Sequence, residues 1–421
     1  MTPLETQVLD LARKARAASR ILAELSSDKK NAALSAMADA LEKNIATIKS
    51  ANTRDMEAAQ IAGVSKAFLD RLMLDDERIM AMAKGLRQIV TLTDPVGEII
   101  SEITRPNGLV IRKIRVPIGV IAIIYESRPN VTADTAALCF KSGNAIILRG
   151  GKEAIHSSRA IVDVLTSAAK IPSGAIGLVP MVDHDAVRIL AQAVGLVDLI
   201  IPRGGEALIR TVAEVARVPV IKHYKGVCHV FIDAAADLDK SERIVLNAKC
   251  QRPATCNAME TLLVHEKIAP KILPRLAKAL IDHKVELRGD EATLNLLKEQ
   301  NINGLKPATE DDWSAEYLDL ILAVRIVRDA DAAVNHITKY SSQLADAIIT
   351  EDKKVADKFL HQVDSAAVYW NTSTRFTDGA EFGMGAEIGI STDKIGARGP
   401  MGLTELTSHK YIVIGNGQVR Q

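Results

Sequence analysis

The chain has 421 residues, of which 48% are apolar and 3% aromatic, with four cysteines and a formal net charge of +1. That length calls for two or three lobes rather than one small core. The near-zero charge argues against bulk nucleic-acid binding, and four cysteines without framework spacing argue against a disulfide scaffold and for a reducing compartment.

The first residues, Thr2-Pro3-Leu4-Glu5-Thr6, do not read as a signal peptide, and no apolar run reaches about 18 residues. A soluble cytoplasmic protein with no membrane partner is expected. From about 4 to 92 the pattern predicts helices. Leu34, Met37, Leu41, Ile45 and Ile48 recur at helical spacing, with Ser27 as the cap before them. This layer carries packing and no chemistry. Between 99 and 116, Asn107-Gly108 separates two runs of β character, the strongest short-range hairpin signal. A hairpin that interrupts a helical region suits pairing with another subunit.

From Gly119 short apolar strands alternate with helices. Strands are expected at 120–125, 145–149, 177–181, 197–202 and 218–222, with helices at 155–169 and 186–194 between them. Such alternation means a parallel sheet with helices on both faces and ligands at the carboxyl ends of the strands. A second alternating region runs from about 228 to 397. The tail 408–415 ends in a strand able to extend the hairpin into a small third sheet.

The strand Ala145–Arg149 ends in Gly150-Gly151-Lys152-Glu153 before a helix. Small residues at such a turn let backbone N–H groups approach a phosphate. A cation there accepts a 2′-phosphate where an acidic residue would take the ribose hydroxyl. Arg149 and Lys152 therefore favour NADP over NAD, with Glu153 as a counterweight. Pro202-Arg203-Gly204-Gly205-Glu206 repeats the arrangement and is a second candidate for the pyrophosphate. Neither turn carries GxGxxG, and the one GxG, at 415–417, has the wrong context. The histidines show no HExxH, and Cys250 with Cys256 lacks a partner pair at zinc spacing, so no metal is expected.

Cys256 lies in Lys249-Cys250-Gln251-Arg252-Pro253-Ala254-Thr255-Cys256-Asn257-Ala258-Met259. A thiol among Arg252, Thr255 and Asn257 has surroundings that favour thiolate, the nucleophilic form. Most cysteines are small buried hydrophobes, a description that suits Cys139, Cys228 and Cys250.

In order along the chain, Val116-Pro117-Ile118-Gly119-Val120, the segment Ser142-Gly143-Asn144-Ala145-Ile146-Ile147-Leu148-Arg149, Cys256, and Glu316 in Glu316-Tyr317-Leu318-Asp319 resemble the aldehyde dehydrogenase superfamily. The resemblance implies an α/β fold of two Rossmann-type parallel lobes plus a small β oligomerisation flap. It divides the chain into an NADP-binding domain (1–98 and 118–226), a catalytic domain (227–398) and a hairpin-and-tail element (99–117 and 399–421). It places the nucleophile at Cys256, a contact to the adenosine ribose at Arg149 and a nicotinamide-ribose contact at Glu316.

Three stretches are similar to one branch of that superfamily: 125–132, 251–264, and 370–379 continuing through 381–383 to 397–403. This branch reduces L-glutamyl 5-phosphate to L-glutamate 5-semialdehyde and phosphate with NADPH, through a cysteine thioester, in proline biosynthesis. The glutamate that hydrolyses the acyl-enzyme elsewhere in the superfamily falls here on His223, which suits a reductase that must keep its thioester. The oxyanion-hole asparagine falls near Arg128, leaving Asn130 as the candidate beside the Cys256 N–H. For the substrate's anionic groups the resemblance offers Arg252, Arg375 and Arg398, with Thr372, Ser373 and Thr374 as hydrogen-bond donors. A homo-oligomer, dimer or tetramer, is implied, and contact with the upstream glutamate kinase is left open. A CoA-acylating aldehyde dehydrogenase, a thiol acyltransferase without nucleotide, and a non-catalytic binding protein remain as alternatives.

Overall fold

The structure, a computed structural model, describes residues 1–126 and 128–420. Ser127, inside the 125–132 stretch, and Gln421, at the end of the tail element, lie outside the described residues. The chain forms two compact units. One comprises Met1–Lys222, Gly383–Gly389 and the chain from Pro400 onward; the other comprises His223–Phe382 and Ile390–Gly399.

The first unit opens with α1 (Pro3–Leu22), α2 (Ser27–Lys43), α3 (Ile45–Ile61), α4 (Lys66–Leu72) and α5 (Asp76–Thr91). Side chains in extended backbone start four of them, α3 being the exception: Thr2 and Glu5 form a capping box, and Ser65 and Asp75 accept the N–H three residues on. Ser26 does the same for α2, accepting from Lys29, so Ser27 is the first helical residue and not the cap. The apolar run read as one helix is two, broken at Asn44. Leu34, Met37, Leu41 and Ile48 are fully buried, while Ile45 is only half-buried at the start of α3.

A hairpin follows, β1 (Ile99–Thr104) and β2 (Val110–Pro117), with Gly108 in the left-handed region at φ 84°. The tail strand Thr407–Ile414 pairs antiparallel along the other edge of β2, making a three-stranded sheet. The parallel sheet of this unit contains β3 (Val120–Tyr125), β4 (Ala145–Arg149), β5 (Ile176–Leu178) and β6 (Leu199–Arg203) in the order β5-β4-β3-β6. Every residue of β3 and β4 is buried, as helices on both faces require. The chain leaves β3 toward β4 and returns on its other side at β6, so the strand order reverses beside β3, where ligands bind in open α/β sheets.

The segment 218–222 is not a strand. Pro219 has no N–H to donate, and the segment makes one isolated bridge, Val220 to Ile200. Near Pro180, β5 is likewise cut to three residues. The helices of this unit that bear on the site are α6 (Asn130–Lys141), α7 (Ile155–Ala168), α8 (Asp185–Ala191) and α9 (Glu206–Val215).

The second unit is built on seven parallel strands. They are β7 (Cys228–Ile232), β8 (Met259–His265), β9 (Glu286–Gly289), β10 (Lys306–Pro307), β11 (Ile321–Val327), β12 (Ala345–Ile349) and β13 (Ala367–Trp370), in the order β10-β9-β11-β8-β7-β12-β13. Its helices are α10 (Leu238–Cys250), α11 (Ala269–Asp282), α12 (Glu291–Glu299), α13 (Ala330–Tyr340) and α14 (Lys353–Gln362). Val230, Ile232, Leu262, Val264, Leu276 and Val324 are among the residues that fuse sheet and helices into one core. Among the described residues no helix is long and apolar enough to cross a membrane.

Candidate active site

In the second unit Cys256 stands on the eight-residue loop 251–258 between α10 and β8. Both ends of that loop are anchored. Lys249, on the last turn of α10, and Glu260, on β8, form an ion pair of 2.6 Å with both side chains wholly buried. Inside the loop the Thr255 hydroxyl donates to the Arg252 carbonyl at 2.9 Å, and the Ala258 N–H donates to the Thr255 carbonyl at 3.0 Å.

A second segment, 373–377, is laced to the first. The Asn257 amide donates to the Thr377 carbonyl at 2.9 Å and, at 3.4 Å, to that of Arg375. The Thr374 hydroxyl donates back to the Asn257 carbonyl at 2.8 Å, and the Arg375 guanidinium donates to the Gln251 side chain at 2.9 Å.

Under Cys256 lies Gly226. A β-carbon there would stand 2.0 Å from the Cys256 carbonyl oxygen and 2.4 Å from its α-carbon, so the approach needs glycine. The Gly226 N–H donates to Glu316 Oε1 at 2.8 Å, and the Cys228 thiol donates to the Cys256 carbonyl at 3.3 Å. Glu316, Gly226 and Cys256 therefore converge. Leu318, in the same turn as Glu316, has φ 53° and gives its N–H to Glu260 Oε1 at 3.2 Å.

The electrostatics separate the four thiols. Burial pushes Cys139 and Cys228 well above the ordinary thiol value and raises half-buried Cys250, while Lys249 pulls the latter back. Cys256 is half-buried. Burial, followed by Arg252, lowers the Arg375 guanidinium, and Cys256 and Asp378 pull it upward, so Arg375 is a cation within electrostatic reach of the Cys256 sulfur. Burial raises Glu260 to about 7 against the opposing pull of Lys249 and the Leu318 N–H, and burial lowers Lys249.

The substrate candidates are in unequal positions. Arg252 is exposed and Thr372 half-buried. The Ser373 hydroxyl accepts the Arg375 N–H, and Thr374 is committed to Asn257. Arg398 donates twice to Asp364, at 2.8 Å to the carboxylate and 2.8 Å to the carbonyl, while Lys394 pairs with the same carboxylate. His223, the first residue of this unit, is half-buried. Gly226, Lys249 and Glu260 were missed in the sequence. A lysine and a glutamate 11 positions apart, on a helix and a strand, share no local pattern, and a glycine's close approach has no signature of its own.

In the first unit both glycine turns lie at strand ends beside β3. Arg149 is buried, and its guanidinium donates to the Val182 carbonyl at 3.0 Å. Burial lowers it, while Glu153, Glu126 and Asp183 draw it back up. Gly150 fits between Tyr125 and Ser158, whose side chains would meet a β-carbon at 3.2 Å. Gly151 is buried, and Lys152 is exposed, opening the single 3₁₀ turn Lys152–Ala154 before α7. Among the described residues Lys152 pairs with no carboxylate.

At the second turn half-buried Arg203 ends β6 and Glu206 begins α9. The Glu126 carboxylate lies between them: it accepts the Gly205 N–H at 3.1 Å and would sit 2.5 Å from a β-carbon on Gly204. Asn130 begins α6, exposed, with its amide donating to Asp134 at 3.3 Å. No group of three or more His, Cys, Asp or Glu side chains among the described residues could hold a metal ion.

Residues 4–296 match the model of the aldehyde dehydrogenase family. The chain is 55% identical over 417 residues to the gamma-glutamyl phosphate reductase of Carboxydothermus hydrogenoformans, covering 98% of this chain and 99% of that one. It is also 55% identical over 411 residues to that of Moorella thermoacetica, covering 97% of each. Among solved structures, gamma-glutamyl phosphate reductase from Thermotoga maritima superposes with a TM-score of 0.96 at 46% identity, covering 98% of this chain and 100% of that one. An acetylating aldehyde dehydrogenase from Geobacillus thermoglucosidasius, 18% identical, shares the fold with a TM-score of 0.69 over 99% of this chain and 98% of its own.

Proposed function

The chain belongs to the gamma-glutamyl phosphate reductase branch of the aldehyde dehydrogenase family, and we propose that it converts L-glutamyl 5-phosphate to L-glutamate 5-semialdehyde and inorganic phosphate with NADPH. The observation that carries the reading is the convergence of Cys256, Gly226 and Glu316, with Arg375 in electrostatic reach of the sulfur.

The Cys256 thiolate attacks the acyl carbon of the substrate. The bond from that carbon to the phosphate oxygen breaks, inorganic phosphate leaves, and the glutamyl group stays on sulfur as a thioester. Arg375 favours negative charge on the sulfur before attack. The Cys256 N–H is the donor assigned to the carbonyl oxygen as it becomes an oxyanion, and Asn130 is the side-chain candidate that the family resemblance offers. NADPH, held by the first unit's glycine turns and Lys152, would supply the hydride that reduces the thioester carbonyl carbon. The thiohemiacetal left on Cys256 then collapses, releasing the aldehyde and returning the electron pair to sulfur. With histidine at 223, no carboxylate at that position activates water against the thioester.

The residues of the first unit suit a dinucleotide. Lys152, just past the end of β4, is an exposed cation that pairs with no carboxylate among the described residues, which suits a 2′-phosphate, and the two glycine turns lie at strand ends. Arg149 and Arg203 frame the turns, and Glu316 takes the nicotinamide ribose. Of the substrate set, Arg252 stands on the loop that carries Cys256, Arg375 donates to Gln251 at its start, Ser373 and Thr374 lie on the segment laced to it, and Thr372 immediately precedes that segment. Arg398 contributes by orienting its own segment through Asp364. The hairpin and tail strand, 99–117 and 399–421, are assigned to self-association: Ile99, Ile103, Tyr411 and Val413 are all more than half exposed there.

The test is the reverse reaction, with glutamate semialdehyde, NADP and phosphate each omitted in turn. NADPH should form only when all three are present. Formation with coenzyme A in place of phosphate would move the chain to the acylating aldehyde dehydrogenases.

A further inference from the structure

Removing two full charges from water costs several kcal/mol per ion, and apolar residues of like volume close such a site equally well. The Lys249–Glu260 pair therefore calls for an account beyond loop anchoring. The second oxygen of Glu260 supplies one. Oε2 takes the Lys249 ammonium, while Oε1 accepts the Leu318 N–H. Leu318 holds φ 53°, a left-handed conformation that a leucine keeps only where its surroundings impose it.

The same turn is gripped on its other side, where the Tyr317 hydroxyl donates to Asp312 at 2.7 Å and the Tyr317 ring lies 5.8 Å from the Lys249 ammonium. Immediately before these two held residues, Glu316 accepts the Gly226 N–H, and Gly226 rests on the Cys256 backbone. A continuous path thus runs from Lys249 through Glu260, the Leu318 amide, Glu316 and Gly226 to Cys256.

We propose that Glu260, oriented by Lys249, is a positioning residue that sets the Glu316 turn and so fixes the Glu316 carboxylate relative to Cys256. The structural half of this inference stands on geometry. Its catalytic half rests on the reading of Glu316 as a ligand of the cofactor ribose.

Two double variants of the full chain separate the acceptor from the bulk. K249M/E260Q keeps a neutral acceptor for the Leu318 N–H, whereas K249M/E260M fills the same volume without one. Hydrogen exchange of segments 224–228 and 315–319 and the KM for NADPH are measured on both, with E316A as reference. In K249M/E260M, exchange at 315–319 should quicken at least 10-fold and KM should rise by a comparable factor. K249M/E260Q should recover most of both.

Equal exchange and equal KM in the two variants overturn the inference. If K249M/E260M fails to fold while K249M/E260Q folds, the acceptor is what the turn requires and the inference stands. If exchange separates the variants but KM does not, and E316A also keeps its KM, the positioning role survives and the ribose assignment of Glu316 falls.

Discussion

Gly226 and Cys256 meet backbone to backbone, with the place of an absent β-carbon 2.0 Å from the Cys256 carbonyl oxygen. The chain passing under Cys256 is therefore part of what holds its sulfur. Gly226→Ala would push the loop 251–258 away from β7. Overpacking of this kind costs about 1–3 kcal/mol, so a drop in melting temperature should accompany a loss of more than 100-fold in kcat. Unchanged kcat would show that the loop tolerates displacement.

Replacing Cys256 itself separates chemistry from binding. Cys256→Ala should abolish turnover while NADPH affinity, measured by fluorescence titration, stays within a few-fold. Enzyme quenched with acyl phosphate and no nucleotide should carry a glutamyl adduct on Cys256 by mass spectrometry. An adduct on another side chain, or residual turnover in the variant, removes the covalent route.

Lys152 is the residue on which cofactor choice is predicted to turn. A hydrogen bond to a charged group is worth about 1.5–3 kcal/mol, so Lys152→Glu should weaken NADPH by roughly 10- to 100-fold. NADH, which lacks the 2′-phosphate, should be spared. Equal losses for the two nucleotides would show that the side chain does not meet that phosphate.

The buried pair predicts a pH dependence of stability. Burial raises Glu260 from 4.5 to about 7, with Glu316 adding to the rise and Lys249 and the Leu318 N–H opposing it. A raised carboxyl is ionised in the unfolded chain before the folded one. Its stabilising contribution is therefore full below pH 4.5 and is lost as pH climbs toward 7, at up to about 1.4 kcal/mol per pH unit. Between pH 5 and 7 the melting temperature of the parent should fall relative to K249M/E260M. A constant difference across that range would contradict the assignment.

The alternation of strands and helices was legible because β3, and β4 up to its terminal Arg149, are continuous apolar runs, as strands covered on both faces are. The 107–108 hairpin was legible from turn chemistry alone. What failed did so locally. Ser26 and Ser27 are equally good caps by type, and backbone geometry chose the first. In the stretch 218–222, a β-like composition concealed Pro219.

At the site, Cys256 stood out because its neighbours in sequence are polar. Arg375 and the 373–377 segment were reachable only through the resemblance, since nothing local ties them to a loop more than 100 residues earlier. The Arg398–Asp364 pair and the Glu126 contact at the second glycine turn are tertiary facts. No spacing rule contains them.

That Glu126 contact bears on how a nucleotide is taken up. The start of α9 already has a negative partner, supplied by the protein itself, at the N–H of Gly205. On the proposed reading, a diphosphate bound at that N–H would have to compete with a tethered carboxylate instead of with water, so its uptake would exchange one anion for another.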